Sequence, residues 1–159
     1  RPGDRAQCVA AGLRALSDGD HVVVHDVEWP MVGADMLNRI IVALNEGVAA
    51  VMPVRPVTDS VKAIDADGVV TATEERSLLR TVQYPRGFRA DVLATLVRHS
   101  NSGSFDELEA ALSAGTSLTL IEGDDESLCV ELPRDTDYLA AVIADRSEDA
   151  VRQQHRAHR

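Results

Sequence analysis

Apolar residues recur along this chain in two alternating rhythms, unbroken β-branched runs and spacings of three and four. Val22, Val23 and Val24 stand together and stop at His25-Asp26, which predicts a strand over residues 22–25 buried on both faces. Before it, Val9, Leu13 and Leu16 fall at helical spacing. Residues 4–16 are therefore expected to form a helix with Asp4 as its N-cap, ended by Ser17-Asp18-Gly19-Asp20. After Pro30, Met36, Leu37, Ile40, Ile41 and Leu44 define a second helix, and Gly47 is placed to stop it in a left-handed turn. Residues 48–54 form the next short apolar run, a second buried strand. Strand, helix and strand at this spacing make a βαβ unit, which predicts a parallel sheet.

The rhythm then changes. Residues 60–64 and 69–73 are short β-branched runs around Asp65-Ala66-Asp67-Gly68, the signature of a hairpin. With few large apolar residues of its own, it cannot stand alone in water; it either lies on the sheet or reaches another subunit. Residues 80–84 read as a short strand closed by Pro85-Arg86-Gly87, and Val92, Leu93, Leu96 and Val97 outline a third helix. A polar loop, Ser100-Asn101-Ser102-Gly103, precedes Ser104-Phe105-Asp106-Glu107, whose S-x-x-E form is that of a capping box opening a fourth helix that Gly115 ends. Residues 117–121 read as a further central strand, followed by the acidic stretch Glu122-Gly123-Asp124-Asp125-Glu126 and a short run over 127–132. A fifth helix starts at Pro133, with Leu139, Val142 and Ile143 on its core face. No internal repeat interrupts this order. One α/β domain over residues 1–150, with a hairpin arm at about 57–76, accounts for the chain, and residues 151–159 read as a solvated basic tail.

Composition bounds the partners. The 159 residues are 45% apolar and 26% charged, enough to bury one sizeable core, and the formal charge of −10 argues against a nucleic-acid or anionic membrane partner. No apolar run reaches the length of a membrane span. Cys8 and Cys129 lack metal-ligand or CxxC spacing and fit the reduced thiols of a cytoplasmic protein. The opening Arg1-Pro2-Gly3-Asp4-Arg5 has no initiator Met, so coding sequence upstream of it is expected.

The strongest chemical signal is Asp26. Ligands of open α/β sheets bind outside the carboxyl ends of the strands, where this carboxylate falls; an Asp there also commonly turns the chain by hydrogen-bonding its own backbone. The 122–126 stretch could hold a divalent cation, but it lacks the alternating ligand spacing of a calcium loop and reads as a solvated face. Arginines between Arg76 and Arg89 could clamp a phosphate, Arg76 being the candidate anion binder. The chain contains no P-loop, no GxGxxG and no defensible Ser-His-Asp order.

Several stretches resemble the 2-C-methyl-D-erythritol 4-phosphate cytidylyltransferase family in order and spacing from about Gly3 to Ile143. Gly3-Asp4-Arg5 with Val9 and Gly12-Leu13 is similar to that family's Gly-Gly-x-x-Arg segment. Val24-His25-Asp26 with Pro30 is similar to V-H-D-A-A-R-P, and Pro53-Val54 with Asp59-Ser60-Val61-Lys62 to P-V-x-D-T-x-K. Arg76-Ser77, Leu79, Gln83, Pro85 and Gly87-Phe88-Arg89 resemble R-x-x-L-x-x-x-Q-T-P-Q-G-F, and Asp106-Glu107 and Glu122-Gly123-Asp124 resemble T-D-E and E-G-D.

The resemblance implies a Rossmann-like three-layer nucleotidyltransferase fold with a mostly parallel sheet and an inserted β-hairpin arm, homodimeric through exchange of that arm. It implies transfer of CMP from CTP to methylerythritol phosphate with Mg2+, in isoprenoid biosynthesis. Gly3, Asp4, Cys8, Asp26 and Val27 would bind the nucleotide, with Asp26 also the metal contact. Ser60 and Arg76 would meet the methylerythritol phosphate, and Asp26 and Arg76 would be the catalytic pair. Departures from the pattern fall on Val27, Glu28 and Trp29, where the family has Ala-Ala-Arg. They also fall on Ser127-Leu128-Cys129-Val130-Glu131, where it has N-I-K-V-T, and on Cys8 in place of a serine. The family's first nucleotide-binding loop has no counterpart between Arg1 and Arg159. These side chains leave open a second reading, a catalytically degenerate paralogue that binds or regulates.

Overall fold

The computed structural model describes residues 3–17, 19–99 and 105–157, with side chains given through residue 146. Asp4 caps helix α1 (Arg5–Leu13) as expected, its carboxylate accepting from the Gln7 amide at 3.0 Å. Strand β1 (His21–Val24), helix α2 (Ala34–Asn45) and strand β2 (Ala50–Pro56) follow, with Gly47 at φ +91° where α2 ends. The arm is β3 (Lys62–Ile64) and β4 (Val70–Thr73). Then come β5 (Arg80–Val82), β6 (Arg86–Arg89), α3 (Ala90–His99), α4 (Glu107–Ser113), β7 (Leu118–Glu122) and α5 (Thr136–Ala157).

Alternation along β2 builds three layers. Ala50 and Met52 pack with Phe88, Leu93 and Leu96 in a core that Val9 and Leu13 of α1 and Ala111 of α4 complete. Val51 points the other way, into Met36, Ile40 and Leu44 of α2. The sheet therefore lies between α2 on one face and α1, α3 and α4 on the other.

The α/β class, the three layers and the inserted hairpin match expectation, but the pairing is more antiparallel than expected. β1 and β2 run the same way without touching, because β6 lies between them, antiparallel to both. β5 pairs with β2 antiparallel, and the one parallel ladder among the described residues is β2 with β7. The expected closing turn Pro85-Arg86-Gly87 is thus the entry to a central strand. The register, Val82 against Val54 but Gly87 against Val51, shows β5 and β6 to be one path along β2, broken by extra residues at Tyr84-Pro85. β1 consequently lies at the edge of the described sheet, and Val23 is 37% exposed instead of buried on both faces. β7 is not central either; it pairs with β2 alone.

Two further expectations shift. Ser100 to Ser104 lie outside the described residues, and α4 is capped instead by Asp106, whose Oδ1 accepts from the Leu108 and Glu109 amides at 2.8 and 3.0 Å. α5 begins at Thr136, after a turn that contains Pro133, and continues to Ala157 through most of the basic tail.

The hairpin turn is set by Asp65, whose Oδ1 accepts from the Asp67 and Val69 amides, with Gly68 at φ +81°. β3 and β4 pair only with each other among the described residues, leaving Ile64, Val69 and Val70 exposed. Such a ribbon does not stabilise itself in water.

Gly87 marks the closest approach of sheet and helix. A Cβ there would stand 2.5 Å from Ile40 Cγ2 and 2.6 Å from Val51 Cγ1. Gly87→Ala is expected to lower stability by about 1–3 kcal/mol, as overpacking does, measured by urea unfolding; an unchanged midpoint would show that α2 can retreat at no cost.

Candidate functional site

At the end of β1 the chain turns on Asp26. Its Oδ1 accepts from the Glu28 amide at 3.0 Å, and its carbonyl accepts from the Trp29 amide at 3.0 Å. Its Oδ2 faces the first residue of α1 and accepts from Arg5 Nη1 at 3.3 Å. The turn and the strand-end carboxylate are one arrangement.

Behind Asp26 lies a buried ionic cluster. Arg5 Nε donates to Glu107 Oε1 at 2.7 Å, while Arg5 Nη2 donates to Glu107 Oε2 at 3.2 Å and to the Tyr84 hydroxyl at 2.8 Å. Glu107 is wholly buried and also accepts from Arg86 Nη1 at 3.1 Å and from the Tyr84 hydroxyl at 3.3 Å. Arg86 Nη1 reaches Asp106 Oδ2 at 3.0 Å, and the Arg86 guanidinium stands 4.2 Å from the Tyr84 ring centroid. Trp29 closes the group, its ring 6.2 Å from that of Tyr84.

The charges of the cluster shape its protonation. The hydrogen bond that Arg5 donates to Glu107 is the main reason this guanidinium holds its proton more firmly than a free arginine. Burial pushes the Tyr84 hydroxyl up to about 12, so it acts as a neutral donor. Burial by itself would raise Asp106, but the Glu109 amide and Arg86 outweigh it and hold the carboxyl below its ordinary value.

A second segment packs against the same turn. The Val130 amide donates to the Glu28 carbonyl at 2.8 Å, and Cys129 Sγ lies 3.9 Å from Glu28 Oε2. Burial first, and then the Glu28 and Asp26 carboxylates, push the Cys129 thiol above its usual range. Trp29 and Cys129, 100 positions apart, are thus brought to one turn. Gln83 anchors this segment, its Nε2 donating to the Asp124 and Ser127 carbonyls at 2.8 and 2.7 Å while its Oε1 accepts from the Asp124 amide at 2.9 Å.

Gly3, Asp4 and Cys8 gather at the start of α1, where Cys8 Sγ lies 3.8 Å from the Gly3 carbonyl, and Val27 is exposed beside Asp26. A cleft of about 310 Å³ runs between α1 and β1, lined by Arg5, Cys8, Val9, Leu13, Val24 and His25 among others. Ser60 and Arg76 are not part of this group. Ser60 is exposed in the loop before β3, and Arg76 donates to the Thr58 carbonyl at the base of the arm. There a second cleft, about 240 Å³, is lined by Arg55, Thr58, Asp59, Thr81, Gln83 and Asp124 among others.

Among the described residues no three His, Cys, Asp or Glu side chains converge on a metal position. In the acidic loop Asp125 pairs with Arg55 and Glu126 with Arg146, leaving these carboxylates spoken for. Tyr84 was not singled out in the sequence; Arg86 was covered only by the general reading of the 76–89 arginines, and Gln83 and Glu107 only as motif residues, because their partners lie far along the chain. Glu107, directly beside Asp106, read from local pattern as part of a cap and from the resemblance as part of a T-D-E segment, neither of which gave its partners.

A three-layer α/β domain that sets the first residue of a helix, Arg5, against a strand-end carboxylate, Asp26, falls in the class of open α/β folds whose ligand sites lie outside the carboxyl ends of the strands. The chain belongs to the 2-C-methyl-D-erythritol 4-phosphate cytidylyltransferase family, whose sequence profile matches residues 2–145. The protein of that name from Frankia casuarinae is 36% identical over 150 residues, 92% of this chain and 56% of its own. Its counterpart from Rhodococcus jostii is 34% identical over 140 residues, 88% of this chain and 62% of its own. The crystal structure of 2-C-methyl-D-erythritol 4-phosphate cytidylyltransferase from Thermus thermophilus superposes with a TM-score of 0.72 at 28% identity, covering 89% of this chain and 69% of that one. The chain therefore spans about three-fifths of the length of the Frankia and Rhodococcus relatives.

Because folding lowers the Asp106 pKa, its contribution to stability is complete at neutral pH and is lost as the pH falls through the depressed folded-state value. Asp106→Asn is expected to lower stability at pH 7 and to make the acid limb of a stability–pH profile shallower. Parallel limbs for the two proteins would show that another carboxylate governs acid unfolding.

Proposed function

We propose that this chain serves the transfer of CMP from CTP to 2-C-methyl-D-erythritol 4-phosphate, with release of pyrophosphate, the reaction for which its relatives are named. The observation that supports this reading best is Asp26, held by Arg5 at the end of β1 and beside the N-terminus of α1. A phosphate oxygen of the acceptor attacks the α-phosphorus of CTP and the bond to pyrophosphate breaks, so positioning and charge stabilisation carry the catalysis.

In this reading Gly3, Asp4 and Cys8 hold the cytosine end of the nucleotide, while Asp26 and the Val27 backbone meet its ribose and phosphates. A single carboxylate suffices for Mg2+ when phosphates supply other ligands, so Asp26 is the residue that would hold it, and the ion would neutralise the departing charge. Among the described residues Asp26 Oδ1 accepts from the Glu28 amide and Oδ2 from Arg5, which leaves lone pairs for that role.

Ser60 and Arg76 meet the acceptor from the arm. The arm pairs with nothing else in its own chain among the described residues, which supports its exchange in a homodimer and delivery of both residues to a partner's site. Two exposed free thiols, Cys8 and Cys129, suit a cytoplasmic setting. No helix among the described residues is long and apolar enough to cross a membrane.

Calorimetry of the chain with CTP and magnesium is expected to show binding that Asp26→Asn weakens by about tenfold or more, the scale of a charged hydrogen bond. Absence of heat with both CTP and methylerythritol phosphate would defeat the proposal. Placing cations at the shared turn with Trp29→Arg and Cys129→Lys is expected to tighten methylerythritol phosphate binding by about tenfold. A dimer by sedimentation that becomes monomeric on Val70→Asp is the expected signature of the exchanged arm.

A further inference from the structure

Glu107 is the only buried carboxylate among the described residues, and none of its partners belongs to its own helix. Arg5 comes from α1, Tyr84 from the break between β5 and β6, and Arg86 from β6. The geometry at Arg5 gives this burial a direction. A guanidinium is a rigid plane; with Nε and Nη2 both on Glu107, the aim of Nη1 is fixed, and Nη1 is the atom that meets Asp26.

We propose that Glu107 is a positioning residue for the strand-end site: acting through Arg5, whose plane it fixes, it sets the place of the Asp26 carboxylate and of the turn that carries Trp29. The ligand-binding side of this assignment rests on Asp26 being the nucleotide contact; the positioning itself does not. A glutamate that only filled and glued the core would, when replaced, lower stability and leave the folded turn as it was.

Trp29 reports on the difference. It is the chain's single tryptophan, its amide bonds to the Asp26 carbonyl, and its ring is half-buried beside Tyr84. The experiment uses the full chain with Glu107→Gln, which keeps the shape and loses the charge, and Arg5→Lys, which keeps the charge and loses the fork. The double variant completes the set. Arg5 is about one-third exposed, so Arg5→Lys provides a folded test if Glu107→Gln does not fold. Under conditions where circular dichroism shows native structure, each single variant is expected to raise acrylamide quenching of Trp29 about twofold, and the double variant no further, because both break one linkage. Magnesium–CTP affinity by calorimetry is expected to fall about tenfold in the same variants. Unchanged quenching in the folded variants, or effects that add in the double variant, would overturn the proposal. Wild-type protein that shows no heat with CTP, yet keeps the quenching pattern, would overturn the nucleotide reading and leave the positioning role standing.

Discussion

The fold turns on a carboxylate buried away from bulk solvent. Moving the Glu107 carboxylate out of solvent costs several kcal/mol unless close, well-aligned partners replace its hydration. Two arginines and a tyrosine do so, from positions 102, 23 and 21 residues away. None of these groups can be supplied locally, so the cluster is satisfied only when α1, α4, β6 and the Tyr84-Pro85 break are all in place. Arg86 and Phe88 are two residues apart on β6 and so share a face, the one covered by α1, α3 and α4, whereas Gly87 between them faces α2. The strand thus delivers its charge to the cluster and its apolar side chain to the core on one side, and at Gly87 presents no side chain to α2 on the other.

A weaker, parallel arrangement organises the second half of the site. Gln83 is the last residue before the break, and its amide group ties both the Asp124 and Ser127 backbones. With the 124–127 backbone fixed, Val130 reaches the Glu28 carbonyl, and Cys129 comes to rest at the Asp26 turn. Gln83 and Tyr84 are neighbours in sequence yet serve opposite walls of the site. The interruption between β5 and β6 is therefore where the sheet gives up regular pairing so that consecutive side chains can reach two elements.

Local signals were legible in the sequence, and long-range ones were not. The Asp4 cap, the α2 periodicity, Gly47 and the Asp65–Gly68 turn depend on residues within one or two turns of each other, and all appear where the pattern puts them. Arg86-Gly87-Phe88-Arg89 has one large apolar residue and follows a proline, so it resembles a turn; its place between β1 and β2 depends on partners more than 30 positions away. That misplacement propagates. Without β6, the three valines of β1 read as a central strand, whereas in the sheet they form an edge. Glu107 was hidden for a related reason, since an acid early in a helix normally faces solvent and the helix dipole.

Asp26 shows why a structural and a functional reading of one residue need not compete. The backbone amide of Glu28 and the guanidinium of Arg5 occupy one position on each carboxylate oxygen, and these bonds immobilise the group without exhausting it. A free carboxylate on a mobile loop would have to be ordered each time a ligand arrived; here the ordering cost is met during folding, by the same bonds that turn the chain. The same turn carries Glu28 and Trp29 and abuts Cys129, so it gathers acidic, aromatic and thiol groups. The half of the turn nearest α1 is held by Arg5, while the half nearest residues 127–131 carries little positive charge. Arg76, at the base of the arm and bonded to the Thr58 carbonyl, lies away from this turn, so among the described residues the turn draws no cation, apart from Arg5, from the segments that build it.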